Sequence, residues 1–192
     1  MQFPPVKEKA AEYNIPVFQP TKMKDGTAYG ILKELDPELI IVVAYGKIIP
    51  QDILDLPKYG CVNIHASLLP RYRGAAPIQW CVLNGEKKSG VTSMQMDSGL
   101  DTGDMLIKAE TEIGENMTAG ELHDKLSKLG AEVMSQTIKK IIDGTLEREK
   151  QDDLLSNYAP MLSKELCPVD WSKSADEIHN QVRGLSPWPI AT

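Results

Sequence analysis

Leu39-Ile40-Ile41-Val42-Val43-Ala44 is an unbroken apolar run, β-branched at its four central positions, and its reading sets the fold class. A short run without polar alternation is expected of a parallel strand covered on both faces, because an amphipathic helix would need more length and a 3.6-residue period. Toward the N-terminus, Ile31, Leu32 and Leu35 carry helical spacing that ends at Asp36 and Pro37. Val17 and Phe18, between Pro16 and Pro20, read as a brief strand, and Val6, Ala10 and Tyr13 after Pro4 and Pro5 read as a short helix stopping at Asn14. Helix, strand, helix and strand in alternation predict an α/β architecture with a mostly parallel sheet.

The same alternation continues downstream. A turn at Pro50 precedes a short helix over 52–56, and Cys61–His65 reads as the next strand. The spacing predicts a helix over 75–83, a half-buried strand over 91–96, a loop over 98–104 and a strand over 105–109. The longest helix is expected over 119–142, where Leu122, Leu126, Leu129, Val133, Ile138 and Ile141 share one face. Thr118 with Glu121 forms its capping box and Gly144 stops it. Residues 147–153 are charged and poorly periodic, and a last short helix is expected over 175–182.

A chain of 192 residues with 42% apolar and 25% charged residues is that of an ordinary globular protein with a packed core. No apolar stretch is long enough to span a bilayer, and Gln2, Phe3, Pro4 and Pro5 followed by Lys7, Glu8 and Lys9 lack the apolar centre of a signal peptide, which predicts a cytoplasmic location. The net charge of −6 argues against general affinity for nucleic acid, DNA included. Cys61, Cys81 and Cys167 are widely spaced and odd in number, as reduced thiols would be, and with His65, His123 and His179 they make no metal-ligand spacing.

Chemistry is concentrated at the end of the Cys61–His65 strand. Alternation puts Asn63 and His65 on one face, so an amide donor and an imidazole converge on one point. Such a pair suits acyl transfer, in which preorganised donors stabilise an oxyanion. Asp101, in the loop Gly99-Leu100-Asp101-Thr102-Gly103, supplies a carboxylate that would hold the imidazole charged. Arg71 and Arg73 flank Tyr72, where cations beside an aromatic suit a phosphate and a base, or simply a solvated loop. Leu68 and Leu69 read by themselves as core residues under a turn. Asp104, Tyr45 and Lys47 are weaker candidates, and Met94 and Met96 read as core.

The run from Asn63 through His65, Ser67-Leu68-Leu69-Pro70, Arg71-Tyr72-Arg73 and Gly74-Ala75-Ala76-Pro77-Ile78-Gln79 resembles the core of the folate-dependent formyltransferases, as does 94–104. Within them, the Gly74 to Gln79 form, Met94-Gln95-Met96-Asp97 and Ser186-Pro187-Trp188-Pro189 are most similar to the branch that formylates methionyl-tRNA. Asp170 and Trp171 also match. The resemblance implies a Rossmann-like formyltransferase fold, 10-formyltetrahydrofolate as formyl donor, and the amino group of methionine on initiator tRNA as acceptor, in a bacterial cytoplasm or organellar matrix. It implies that Asn63 bonds the formyl oxygen, His65 stabilises the oxyanion as an imidazolium, and Asp101 supports the histidine and helps to move the proton. Ser67, Leu68, Leu69 and Pro70 would contact the folate, and Arg71 and Arg73 the RNA. No metal is implied.

The resemblance also sets expectations about extent. The family's first strand-helix-strand and its basic tRNA-holding loop are expected to be absent, leaving residues 1–146 as an incomplete catalytic domain. Residues 147–192 would be a linker or C-terminal extension, with the tRNA-binding barrel absent. Met161 and the Cys167-Pro168 pair depart from the usual pattern. The expected consequence is an exposed apolar edge along 39–44. The alternatives are a formyltransferase or formyl-folate hydrolase acting on a small molecule, or a noncatalytic folate- or RNA-binding fragment.

Overall fold

The computed structural model describes residues 3–192; Met1 and Gln2, the first residues of the N-terminal run considered above, lie outside the described residues. The chain forms two compact units, Met1–Asp36 and Pro37–Thr192. In the first, proline occupies the opening position of helix α1 (Pro5–Glu12), and Asn14 turns the chain away at φ 56. Helix α2 (Thr27–Leu35) ends on Asp36 in the left-handed conformation. Val17 and Phe18 do not form the expected strand: they are exposed coil, since Pro16 and Pro20 remove backbone donors that a ladder would need.

The second unit is built on one four-stranded sheet. Its strands are β1 (Ile40–Val43), β2 (Cys61–His65), β4 (Lys88–Gln95) and β5 (Met105–Glu112), hydrogen-bonded in the order β1-β2-β4-β5. A separate two-stranded pair joins β3 (Arg73–Gly74) to β6 (Tyr158–Ala159). The α/β class is as expected from the alternation. Pairing is parallel for β1–β2 and β3–β6 and antiparallel for β2–β4 and β4–β5. β4 and β5 pair antiparallel because only the 96–104 loop separates them, too short for a crossover helix.

Strand β1 departs from the expectation of burial on both faces. Val42 is buried, but Ile41 and Val43 are 44% and 60% exposed, so only one face is covered, and β1 is the terminal strand of the sheet among the described residues. Helix α5 (Ala119–Ile142) has the bounds its periodicity gives. Thr118 and Glu121 cap each other reciprocally, and Leu122, Leu126 and Val133 bury its apolar face against β4 and β5. Ser93 Oγ meets Thr137 Oγ1 of this helix at 2.8 Å and accepts from Ile107 N–H, satisfying the backbone where the β4–β5 register shifts.

Helices α3 (Gln51–Leu54) and α4 (Pro77–Leu83) lead into and out of the β2 region, and α6 (Ala175–Gly184) packs beside α4, where Gly184 leaves room for Leu83. Residues 147–160 run along the unit: Glu149 exchanges both backbone hydrogen bonds with Met105, and Pro160 accepts from the Trp80 indole. No helix among the described residues is long and apolar enough to cross a membrane.

Candidate active site

Strand β2 aims its two polar side chains away from the core helix. Ile64 faces α5, packing at Gly130, so alternation sends Asn63 and His65 to the opposite face. The strand stops at His65, and β1 runs parallel to it, which puts the carboxyl ends of both at one edge, where ligands collect in open α/β sheets.

His65 is 6% exposed and held from two sides. Its Nε2 donates to the Tyr72 carbonyl at 2.8 Å, and its Nδ1 lies 3.7 Å from Asp101 Oδ2. Both ring nitrogens thus face oxygen atoms, one of a backbone carbonyl and one of a carboxylate. Asp101 Oδ2 is fixed by the Gly74 N–H at 2.8 Å. The two groups flanking the ring sit on unusual backbone, Tyr72 at φ 59 and Asp101 at φ 54. Aspartate tolerates this region, but for tyrosine it stores strain of about 1–3 kcal/mol, maintained by the buried ring and by its hydroxyl, which donates to Glu86 and accepts from Asn84. Burial, with Glu86 beside it, pushes that phenol up to about 12, so it stays protonated.

Asn63 is half-buried, and its amide makes no hydrogen bond within the described chain. An unpaired amide beside a doubly held imidazole can meet an incoming carbonyl. The structure therefore brings Asn63 and His65 onto one face and His65 and Asp101 to one point, as the alternation and the glycine loop allow. Gly103 needs to be glycine, since a Cβ there would run into the Gln95 carbonyl.

The 67–70 turn divides by burial. Ser67 is buried and donates to the Arg71 carbonyl at 2.6 Å, its own carbonyl accepts from Thr92 Oγ1, and Leu69 is buried with Met94 and Met105 while its N–H donates to Thr92 Oγ1. Leu68 and Pro70 are half-buried. An apolar ligand beside this turn would meet those two residues and backbone, and not the Ser67 hydroxyl.

Neither arginine is a free cation. Arg71, half exposed, pairs with Glu86 at 2.5 Å over the Tyr72 ring, while Arg73 is 12% exposed and engaged by Asp153 and Gln151. Tyr72 is buried, so it offers no stacking face to a base. Tyr45 and Lys47 are exposed and Asp104 half-buried in the flanking loops. Sequence reasoning missed the Tyr72 carbonyl, the Gly74 N–H and Gln151. Gly74 alone carries a signal: its φ of 109, beside the Tyr158 ring and the Ala159 carbonyl, requires glycine. No group of three or more His, Cys, Asp or Glu residues that could hold a metal ion occurs among the described residues.

An α/β sheet whose strand end presents an unpaired amide and an imidazole facing a carboxylate has donors that could meet a developing oxyanion. The family model for formyl transferase matches residues 1–138, and the chain belongs to that family. The model for the formyl transferase C-terminal domain matches residues 161–192.

The chain is 58% identical over 188 residues to a methionyl-tRNA formyltransferase of Acetivibrio thermocellus, covering 98% of this chain and 60% of that protein. It is 56% identical over 188 residues to that of Clostridium perfringens strain SM101, covering 97% and 61%. The chain thus spans about three fifths of the length of these relatives. Among solved structures, a sugar 3N-formyl transferase, WlaRD, determined with dTDP and 5-N-formyl-THF, superposes with a TM-score of 0.75 at 27% identity, over 93% of this chain and 62% of that one.

Proposed function

We propose that this chain carries the catalytic part of a methionyl-tRNA formyltransferase, moving a formyl group from 10-formyltetrahydrofolate to the amino group of methionine on initiator tRNA. The observation that carries the reading is the imidazole of His65, held between the Tyr72 carbonyl and Asp101 on the same strand face as the unpaired Asn63 amide. Identity of 56–58% to methionyl-tRNA formyltransferases favours this acceptor over an amino sugar. Initiator tRNA and the folate are the partners in this reading, at work in the cytoplasm, and residues 1–146 are the catalytic portion with 147–192 as its extension.

The donor supplies an activated formyl carbonyl. Asn63 is the group that donates to its oxygen, and His65, as imidazolium, donates to the same oxygen as negative charge develops there. The amine nitrogen bonds to the formyl carbon and the bond from that carbon to N10 of the folate breaks, while Asp101 stabilises the imidazolium and relays the proton released by the amine to the departing N10, so that tetrahydrofolate leaves neutral. Leu68 and Pro70 offer the apolar contacts to the folate, while the backbone of the 67–70 turn orients it. Arg71 is the better placed of the two arginines for RNA, because its guanidinium is half exposed and would exchange Glu86 for a phosphate.

The test is transfer of labelled formyl from 10-formyltetrahydrofolate to methionyl initiator tRNA, with an amino sugar nucleotide and water as competing acceptors. Formylated methionyl-tRNA, lost in His65→Ala, is expected. Faster formylation of the sugar nucleotide would move the reading to a small-molecule enzyme, release of formate alone to a hydrolase, and folate binding without turnover to a noncatalytic fragment.

A further inference from the structure

Asp101 is held from a second direction by a residue outside the motifs. Gln151 is half-buried in the charged segment after α5, and its side-chain NH2 donates to the carbonyls of Asp101 at 2.8 Å and Gly103 at 2.7 Å. Its amide oxygen accepts from Arg73 Nε at 2.9 Å. The orientation of the amide is fixed by its partners, because two carbonyls can only accept and a guanidinium can only donate. Gln151 is itself seated: Glu149 exchanges N–H and carbonyl hydrogen bonds with Met105, at 2.8 and 2.9 Å, at the base of the same loop.

These contacts close a ring. Arg73 is bonded in sequence to Gly74, Gly74 N–H holds the Asp101 carboxylate, the Asp101 carbonyl is held by Gln151, and Gln151 returns to Arg73. The carboxylate is thus fixed through its side chain by Gly74 and through its main chain by Gln151, at a left-handed backbone position that one anchor alone would leave free to pivot. We infer that Gln151 is a positioning residue for the transfer reaction: it acts through Asp101, setting the carboxylate against His65 Nδ1. The inference rests on the acyl-transfer reading of this site. It also gives Arg73 a structural task as the other end of the brace.

Two substitutions test it. Gln151→Leu removes the whole brace, whereas Gln151→Glu keeps an acceptor for Arg73 but turns the donating nitrogen into an acceptor oxygen that the carbonyls of residues 101 and 103 repel, and a thermal melt beside each variant reports whether the fold is kept. The first readout is hydrogen exchange at the Gly74 amide, which reports how tightly Asp101 is held and does not depend on turnover. Exchange about tenfold faster at Gly74, with the Leu122 and Val133 amides of α5 unchanged, is expected in both variants. The second readout is a fall in kcat of about 10- to 100-fold with the KM for 10-formyltetrahydrofolate unchanged, as for a displaced catalytic group. Gly74 exchange that stays at the wild-type rate in Gln151→Glu overturns the inference, as does an unchanged kcat, or a loss of protection spread evenly over α5. Failure of the underlying reading looks different: wild-type transfer by His65→Ala, or no transfer by the unaltered chain, removes the reaction assignment, and Gly74 exchange alone then decides whether the brace holds Asp101.

Discussion

Replacing Asp101 by asparagine removes its charge, and with it both the support of the imidazolium and the proton acceptor, while leaving the geometry of the loop. Residue 101 has φ 54, a region asparagine enters as readily as aspartate, so the backbone is not strained by the change. The amide oxygen of asparagine can still accept from the Gly74 N–H, now 2.8 Å from Oδ2, and the carbonyls of residues 101 and 103 keep their bonds to Gln151. What disappears is the negative charge 3.7 Å from His65 Nδ1. At an effective dielectric constant of about 20, opposite unit charges at that distance attract by about 4.5 kcal/mol. Burial of the pair offsets part of this, which leaves a barrier increase of about 3–4 kcal/mol, or roughly 10²- to 10³-fold in rate. The assay is single-turnover formyl transfer with saturating donor, run beside a thermal melt. The expected result is that loss in rate with the fold retained and the thermal transition still cooperative. Transfer at the wild-type rate would refute the electrostatic argument; a collapse in stability would show that the charge holds the loop and not the imidazole.

Gly74→Ala should destabilise the protein by about 1–3 kcal/mol and slow transfer, because φ is +109 and the new Cβ meets the Tyr158 ring and, at 2.8 Å, the Ala159 carbonyl; an unchanged melting temperature would contradict the packing. Glu121 has its carboxyl held below the ordinary glutamate value, first by the backbone N–H of Thr118 and then by its hydroxyl. A lowered folded value means that this stabilisation is present above the ordinary value and is lost as pH falls through the folded one, so amide protection in the first turn of α5 should decrease in that acid window before the rest of the helix; uniform loss along α5 would refute it. Burial pushes the Cys61 and Cys81 thiols up to about 11. At pH 8 only about one in a thousand of each is then thiolate, and a disulfide reagent should modify them far more slowly in the native chain than in denaturant. Rapid native labelling of either would contradict the burial.

Legibility differed between elements for physical reasons. Helix α5 was readable to its ends because its period, capping box and terminal glycine all depend on local sequence. The reading of β1 as a strand covered on both faces failed at Ile41 and Val43, since an apolar run shows what a segment could bury and not what lies against it. Val17 and Phe18 had strand composition, but the prolines on either side remove donors that a ladder would need, and the two residues pair with no strand among the described residues. At the site, Asn63 and His65 followed from alternation along one strand, and Asp101 from glycines that let a loop approach. The partners that hold these groups could not be read, because the Tyr72 carbonyl and the Gly74 N–H are backbone atoms that every residue possesses, and only the folded turn aims them.

The division of labour around His65 follows from that difference between side chains and backbone. A side chain that reacts must be of one chemical type, so it leaves a trace in a motif; a group that only positions can be a carbonyl, an N–H or a distant amide. Tyr72 at φ 59 illustrates the cost of using backbone in this way: its carbonyl reaches Nε2 only because the residue adopts a conformation that tyrosine disfavours, and the surroundings must hold it there. Those surroundings include the Asn157 side chain, which accepts from the Tyr72 N–H, and the Asn157 carbonyl, which accepts from the Arg73 N–H. With Gln151 on the Asp101 side and Asn157 on the Tyr72 side, both acceptors facing the imidazole are steadied by the same segment after α5. That segment has no helical or strand periodicity of its own, and its sequence is therefore constrained by the geometry of a site to which it contributes no reacting atom.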